Sequence, residues 1–250
     1  MNHSDRLKKS LLLNALNLCE KESLEGIQRK TAFLFSDISM SFHPDTFVNI
    51  CKNSEYKKRL NKIHSNVPEY KEMQSSNSSD ALLMNFFAHP KIKEWKSLRD
   101  LISIKESDSI EFGWNPEFEN EKNRKSEIDM RIGDSIFEAK LTESDFTQKV
   151  LQVVLTYSDV ESTIDLQSLT NDNIVSNYQL IRNLLAAKKH NYKFNVLIDE
   201  TRTDLIREFY KVKSAIKIKS LADNFNFFTW QEIADCVGAD LKTYITKKYF

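Results

Sequence analysis

The sequence predicts an α/β protein: a sheet with helices on both faces, preceded by a helical region spanning roughly the first hundred residues. Three observations predict it. Residues 126–141, S-E-I-D-M-R-I-G-D-S-I-F-E-A-K-L, alternate apolar and polar side chains about a Gly133-Asp134 turn, the pattern of a β-hairpin. Lys193-Phe194-Asn195-Val196-Leu197-Ile198 is a short apolar run between two amphipathic segments, 175–189 and 204–212, and reads as a buried strand between covering helices. The N-terminal part carries helical spacing broken at His43-Pro44, Val67-Pro68 and His89-Pro90, where the residue before proline is pushed out of helical geometry.

In chain order, Ser4 is a fair N-cap for a first helix in which Leu7, Leu11, Ala15 and Leu18 recur at helical spacing until Gly26. Residues 75–79 are polar punctuation, and Ser79 or Asp80 caps a helix that begins with Ala81. Residues 110–112 make a first strand, 115–125 a polar, charged loop, and the hairpin follows. A helix over 143–157 places Phe146, Val150, Val153 and Tyr157 on one face. After the 193–198 strand and its flanking helices, 225–228 reads as a last strand and 231–246 as a C-terminal helix interrupted by Gly238. No internal repeat or low-complexity linker marks a boundary. The working division is a helical region over 1–100 packed on an α/β core over 101–250, as one compact unit.

The hairpin carries the chemistry. With a two-residue turn Ile132 pairs with Ser135, so Asp129 sits opposite Glu138 and Glu127 opposite Lys140. Alternation puts Ile128, Met130 and Ile132 on one face with Phe137, Ala139 and Leu141. Glu127, Asp129, Arg131, Ile136, Glu138 and Lys140 share the other face. Two carboxylates directly opposite repel, at a cost of roughly 0.2–1 kcal/mol. A hard divalent cation between them reverses the sign of that interaction. As a plain sheet face, the same residues make an ordinary Glu127–Lys140 ion pair, which leaves the Asp129–Glu138 repulsion without a purpose.

An aspartate, a gap of eight and then Glu-x-Lys resembles the active-site motif of the PD-(D/E)xK nuclease superfamily. The runs Phe137–Glu143 and Ser78–Phe87 are similar to a branch of restriction-endonuclease-like proteins within it. The match spans roughly 78–200, and the first acid follows Ile128 where the motif has proline. The resemblance implies a restriction-endonuclease-like three-layer α/β/α core with a mixed sheet, and a Mg²⁺ site (Mn²⁺ substituting) made by Asp129, Glu138 and the Ala139 carbonyl. It further implies that Lys140 assists catalysis, that Glu111 is an upstream acid, and that a helix through Tyr178, Gln179 and Arg182 brings Gln179 near the metal-bound water or phosphate. Such chemistry suits the residue types, since phosphodiester hydrolysis needs a metal to activate water and offset developing charge. Mg²⁺ takes one or two carboxylates and keeps several waters.

Composition bounds the rest. The chain of 250 residues is 40% apolar with 4 glycines and 4 prolines, which suits an ordered, helix-rich globule. Its 36 basic and 36 acidic residues cancel, whereas a protein that wraps nucleic acid non-specifically is usually basic; the balance still allows a nuclease whose acids bind metal and whose bases are gathered locally. A phosphate-contacting patch must be local, and Lys57, Lys58, Arg59 and Lys62, or Lys211, Lys213, Lys217 and Lys219, are the candidates. Cys19, Cys51 and Cys236 have neither disulfide nor zinc spacing, which suits a reducing cytoplasm. No segment approaches the roughly 20 apolar residues of a membrane span, and the run after Lys8-Lys9 holds two asparagines and lacks a signal-peptide cleavage site. The five histidines include no H-x-x-x-H pair.

The expected function is therefore a Mg²⁺-dependent endonuclease of restriction or host-defence type acting on double-stranded DNA, with a homodimer suited to a two-fold site. The alternatives are the same fold acting on RNA or branched DNA, and a nucleic-acid-binding or regulatory module without turnover.

Overall fold

A computed structural model of the chain describes residues 2–117 and 127–250. Residues 118–125 of the polar loop expected over 115–125, and Ser126 at the start of the hairpin, lie outside the described residues.

A five-stranded mixed sheet forms the middle layer. Its strands are β1 (Ile110–Trp114), β2 (Ile128–Ile132), β3 (Ser135–Ala139), β4 (Lys193–Ile198) and β5 (Phe225–Thr229), in the order β5-β4-β3-β2-β1. β1, β2 and β3 are an antiparallel meander, while β3, β4 and β5 run parallel. Gly133 turns the hairpin at φ 55°, the left-handed conformation this tight connection requires. The register Ile132↔Ser135, Arg131↔Ile136, Met130↔Phe137 is the one the alternation predicts. Parallel neighbours need a crossover, and helices supply it: Tyr178–His190 between β3 and β4, Thr203–Ala215 between β4 and β5.

Both faces of the sheet are buried. On one, Ile136, Phe194, Val196 and Ile198 pack with Leu180, Ile181 and Leu184 of the Tyr178 helix and with Leu205 and Phe209 of the Thr203 helix. On the other, Met130, Ile132, Phe137, Ala139 and Leu197 pack with Leu7 and Leu11 of the helix His3–Glu22, with Leu82 and Phe86 of the helix Ser79–Phe87, and with Trp230, Leu241 and Ile245 near the C-terminus. The result is an α/β/α sandwich.

Several local readings are corrected. Ile128 packs with Trp114 and Ile136 rather than with Met130 and Ile132. It ends its strand opposite Trp114, next to Gly113 at φ 69° on β1, where the regular pleat is interrupted. Residues 143–157 are not one helix. Lys149–Val150 pair with Ile174–Val175, and only Leu151–Val154 are helical. Side chains there satisfy the backbone in competition with a helix: Leu141 N–H donates to Glu143 Oε2 at 2.7 Å, Thr147 N–H donates to Asp145 Oδ1 at 2.7 Å, and Thr147 sits at φ 60°. The N-terminal region also contains a small antiparallel pair, Gly26–Gln28 with Phe33–Phe35. The cap before the Ser79 helix is Ser78, one residue earlier than read, accepting from Ala81 N–H at 3.2 Å. The C-terminal helix is two, Trp230–Asp235 and Ala239–Tyr249, parted around Gly238.

Candidate active site

The paired ladder of the hairpin ends at Met130↔Phe137; just beyond it the charge of Glu138 acts on Asp129, and the Ala139 N–H donates to Asp129 Oδ2 at 2.8 Å. Glu138 is fully buried, which a carboxylate tolerates only when its oxygens are satisfied. Lys140 Nζ lies 2.9 Å from Glu138 Oε1, Gln179 Nε2 donates to the same oxygen, and Asn183 Nδ2 donates to Oε2 at 2.8 Å. Lys140 Nζ in turn donates to Gln179 Oε1 at 2.7 Å, closing a ring of three side chains. Gln179 and Asn183 stand one helical turn apart on the Tyr178 helix, so both reach the same strand.

Lys140 is clamped at its backbone as well. Its N–H donates to Leu197 O at 2.8 Å, and its carbonyl accepts from the Trp230 indole Nε1 at 2.9 Å. The chain just beyond is held by the wholly buried Arg202, whose guanidinium donates to Leu141 O at 2.9 Å and Glu143 O at 2.7 Å while pairing with Asp204 at 2.9 Å.

A second set of charges arrives from the helical region. Asp80, in the first turn of the Ser79 helix, is buried and accepts from Arg59 NH2 at 3.2 Å and from Lys62 Nζ at 3.1 Å. Arg59 NH1 reaches Glu127 Oε1 at 2.5 Å, and Lys62 also pairs with Glu72 at 2.8 Å. Arg59 lies against Gly113, where a Cβ would overlap its guanidinium.

The electrostatics single out Asp129. Burial, and then the charges of Glu138 and Asp80, push its pKa well above the ordinary carboxylate range against the pull of Lys140 and the Ala139 amide. Among the described residues no cation is in salt-bridge contact with it, whereas Glu138 and Glu127 each have one and Asp80 has two. Burial works against the Lys140 charge, but Glu138, Glu143 and Asp129 outweigh it and hold the ammonium above its usual pKa. Asp129 uses one of its four lone-pair sites on the Ala139 amide, and Glu138 uses three of its four. The unused sites, with net negative charge, fit a hard, oxygen-seeking divalent ion.

Of the residues singled out in the sequence, Asp129, Glu138, Lys140 and Gln179 are brought together, and Ala139 contributes its amide to Asp129. Glu111 is not brought to them. It lies one register step away opposite Arg131, half-exposed and paired with it at 3.1 Å. Glu127 turns to Arg59 instead of Lys140. Lys57 and Lys58 remain outside the cluster that Arg59 and Lys62 join. Lys211 pairs with Glu208, while Lys213 and Lys217 donate to the carbonyls of Phe225 and Glu161.

Asn183 was not read from the sequence but was detectable, four residues after Gln179 on one face of the same predicted helix. Asp80 was read only as a helix cap and Arg59 only as part of a basic patch; their place in this cluster left no local signal, because Asp80 is met by Arg59 and Lys62, 21 and 18 positions earlier, and Arg59 reaches Glu127, 68 positions further along.

Among the described residues, three metal-capable side chains bring ligand atoms within 4.8 Å of one another only at His43, Asp45 and His89. Their hydrogen bonds oppose a metal. Each ring lies in a His-Pro-x turn and uses Nδ1 to accept a backbone N–H, from Asp45 at 3.3 Å and from Lys91 at 3.2 Å. Each proton is thereby directed to Nε2, and for His43 that nitrogen faces Asp240 at 3.0 Å. The cluster is a tie between three elements.

A family model described as Restriction Endonuclease associating with ARP matches residues 21–250. No curated protein and no solved structure matches the chain.

Proposed function

We propose a function from one premise: the chain belongs to the family described as Restriction Endonuclease associating with ARP, and so to the nucleases, with a nucleic-acid substrate. The proposal is a divalent-metal-dependent endodeoxyribonuclease of restriction or host-defence type that cuts double-stranded DNA. A single observation carries it: Asp129, which among the described residues has no cation in salt-bridge contact, stands next to a buried Glu138–Lys140–Gln179 ring. A structural ion-pair network would neutralise its own charges; among the described residues this one stops one cation short.

In this reading Asp129 and Glu138 hold Mg²⁺ or Mn²⁺. The bound ion supplies a water of lowered pKa and offsets charge building on the phosphoryl oxygens. The chain's own residues do the remainder. Gln179 fixes both Glu138 and Lys140, so the lysine cannot turn away from the site. Lys140 stays protonated and presents a compact positive charge to the scissile phosphate or the leaving oxygen. Trp230 and Leu197 hold its backbone, and hence its reach, to the precision that positioning demands. Asp80 is the proposed supporting acid in place of Glu111. The family's description extends the proposal to a protein partner, ARP, for this chain.

The test is a cleavage time course on supercoiled, linear and single-stranded DNA and on RNA, with Mg²⁺, Mn²⁺ or EDTA. Wild type is compared with Asp129→Asn and Lys140→Met. Metal-dependent cutting of duplex DNA, lost in both variants, is the expected result. Cutting that survives Asp129→Asn overturns the assignment, and preferential cutting of RNA or branched DNA replaces the substrate.

A further inference from the structure

We propose that Arg59 is the resident countercation of the acid cluster, competing with the divalent metal for the field of Asp80 and Asp129. It is a positioning residue: metal entry loosens it, and its absence strengthens metal binding. This rests on the metal-dependent reading above and deepens it.

The geometry is dedicated. Arg59 ends the short helix Ser54–Arg59, which is keyed to β1 by the edge-on packing of Tyr56 against Phe112, centroids 5.0 Å apart. Gly113, one of 4 glycines in the chain, leaves the space its guanidinium occupies. That guanidinium is 12% exposed and lies among three carboxylates: it contacts Asp80 and Glu127, and Asp129 acts on it through space. It is held incompletely. NH2 meets the two Asp80 oxygens at 3.2 and 3.3 Å, longer than a well-formed charge-assisted bond, and the buried Nε–H has no partner. A purely structural arginine at such a junction is expected to saturate its planar fork on a carboxylate. This one spreads a single positive charge across three acids on two segments of chain, the Ser79 helix and the start of β2, which is the electrostatic task of a metal ion.

Two positive centres cannot serve the same acids at full strength. An arginine a few ångströms from the site raises the cost of bringing in a second, doubly charged cation. Removing its charge therefore deepens the negative potential that the metal feels. A merely structural role predicts the opposite, since losing Arg59 would then disorder Asp80 and weaken the site.

The experiment is calorimetric titration of Ca²⁺ and Mg²⁺, without DNA, into wild type, Arg59→Gln, Arg59→Lys and Asp129→Asn, with thermal unfolding run on each. The expected result is at least tenfold tighter binding by Arg59→Gln, equivalent to about 1.4 kcal/mol, and near-wild-type affinity for Arg59→Lys, which keeps the charge. Unchanged or weaker binding by a folded Arg59→Gln overturns the proposal. Should that variant fail to fold, the Arg59 side-chain Nε–H resonance in wild type serves instead, assigned by its loss in Arg59→Lys. A resonance that shifts with the metal titration supports displacement, and one unmoved at saturation overturns it. Wild type that binds neither ion removes the nuclease reading together with this one. Binding that needs Asp129 but ignores Arg59 removes this one alone.

Discussion

Replacing Asp129 with Asn should abolish cleavage and, in the absence of metal, make the protein more stable. The Asp129 carboxylate faces Glu138 across adjacent strands and feels Asp80 beyond it. Opposite side chains in an antiparallel pair start about 5 Å apart at Cβ, and two unit charges at that distance repel by about 3 kcal/mol at an effective dielectric of 20. Attraction to Lys140 returns part of this, and Asn still accepts the Ala139 amide through its carbonyl oxygen. The net gain should be about 1–2 kcal/mol, a rise of roughly 2–8 °C in Tm for a chain of this size.

The pH dependence has a definite sign. The folded-state pKa of Asp129 is raised, so between the unfolded and the folded value the native protein keeps its proton while the unfolded chain has lost it. The cost of the aspartate is absent below the unfolded value of about 4 and grows as pH rises towards and through the raised value. Thermal unfolding of wild type and Asp129→Asn in EDTA, at pH 4 and pH 7.5, reads this directly. The two should converge at pH 4 and separate at pH 7.5, with the variant the more stable. Added Mg²⁺ should then stabilise wild type alone, because only wild type binds it tightly. A variant less stable than wild type at pH 7.5 in EDTA, or a gain that does not vary with pH, would refute the reasoning.

Lys140→Met should also end cleavage but should destabilise the fold by about 3–5 kcal/mol, because it strands the buried Glu138 with amide partners only; denaturant melts will separate it from Asp129→Asn by sign. Asp80→Asn should slow cleavage at least tenfold, whereas Glu111→Gln, opposite Arg131, should leave the rate within about twofold; parallel rates on one plasmid substrate decide between the two acids. His89 is held neutral by burial, its pKa lowered to about 4, whereas the unfolded histidine protonates near 6.5. Stability should therefore fall as pH drops through that interval, by at most about 3 kcal/mol, and the slope should shrink in His89→Gln measured by urea unfolding.

What could be read from the chain was what local patterning encodes. A Gly-Asp turn between alternating strands fixes register by arithmetic, so the pairing from Ile132↔Ser135 to Met130↔Phe137 followed from residue spacing, and with it the gathering of Asp129, Glu138 and Lys140. Gln179 required a helix of known phase and the resemblance that aimed it at the hairpin. Asp80 was legible only as a helix cap and Arg59 only as one of a basic patch; that they join the hairpin acids was beyond reach, since nothing near Arg59 registers Glu127, 68 positions away. The helix expected over 143–157 failed for a different reason: its apolar spacing is real, but Glu143 and Asp145 offer the backbone closer partners than a helical turn does. Ile128 shows the limit of strict alternation, which gives way at a strand end beside a left-handed glycine.

The hydrogen bond from the Trp230 indole to the Lys140 carbonyl also bears on when the candidate site is completed during synthesis. Ribosomes deliver Asp129, Glu138 and Lys140 well before residue 230, so a growing or prematurely terminated chain carries the proposed site residues without the clamp that sets the lysine. Arg202, which grips the carbonyls just past Lys140, also emerges late. Completion of the proposed site is thereby deferred until Arg202 and Trp230 have been made and have packed against the hairpin. In the proposed reading, fragments that end before Trp230 should be inert.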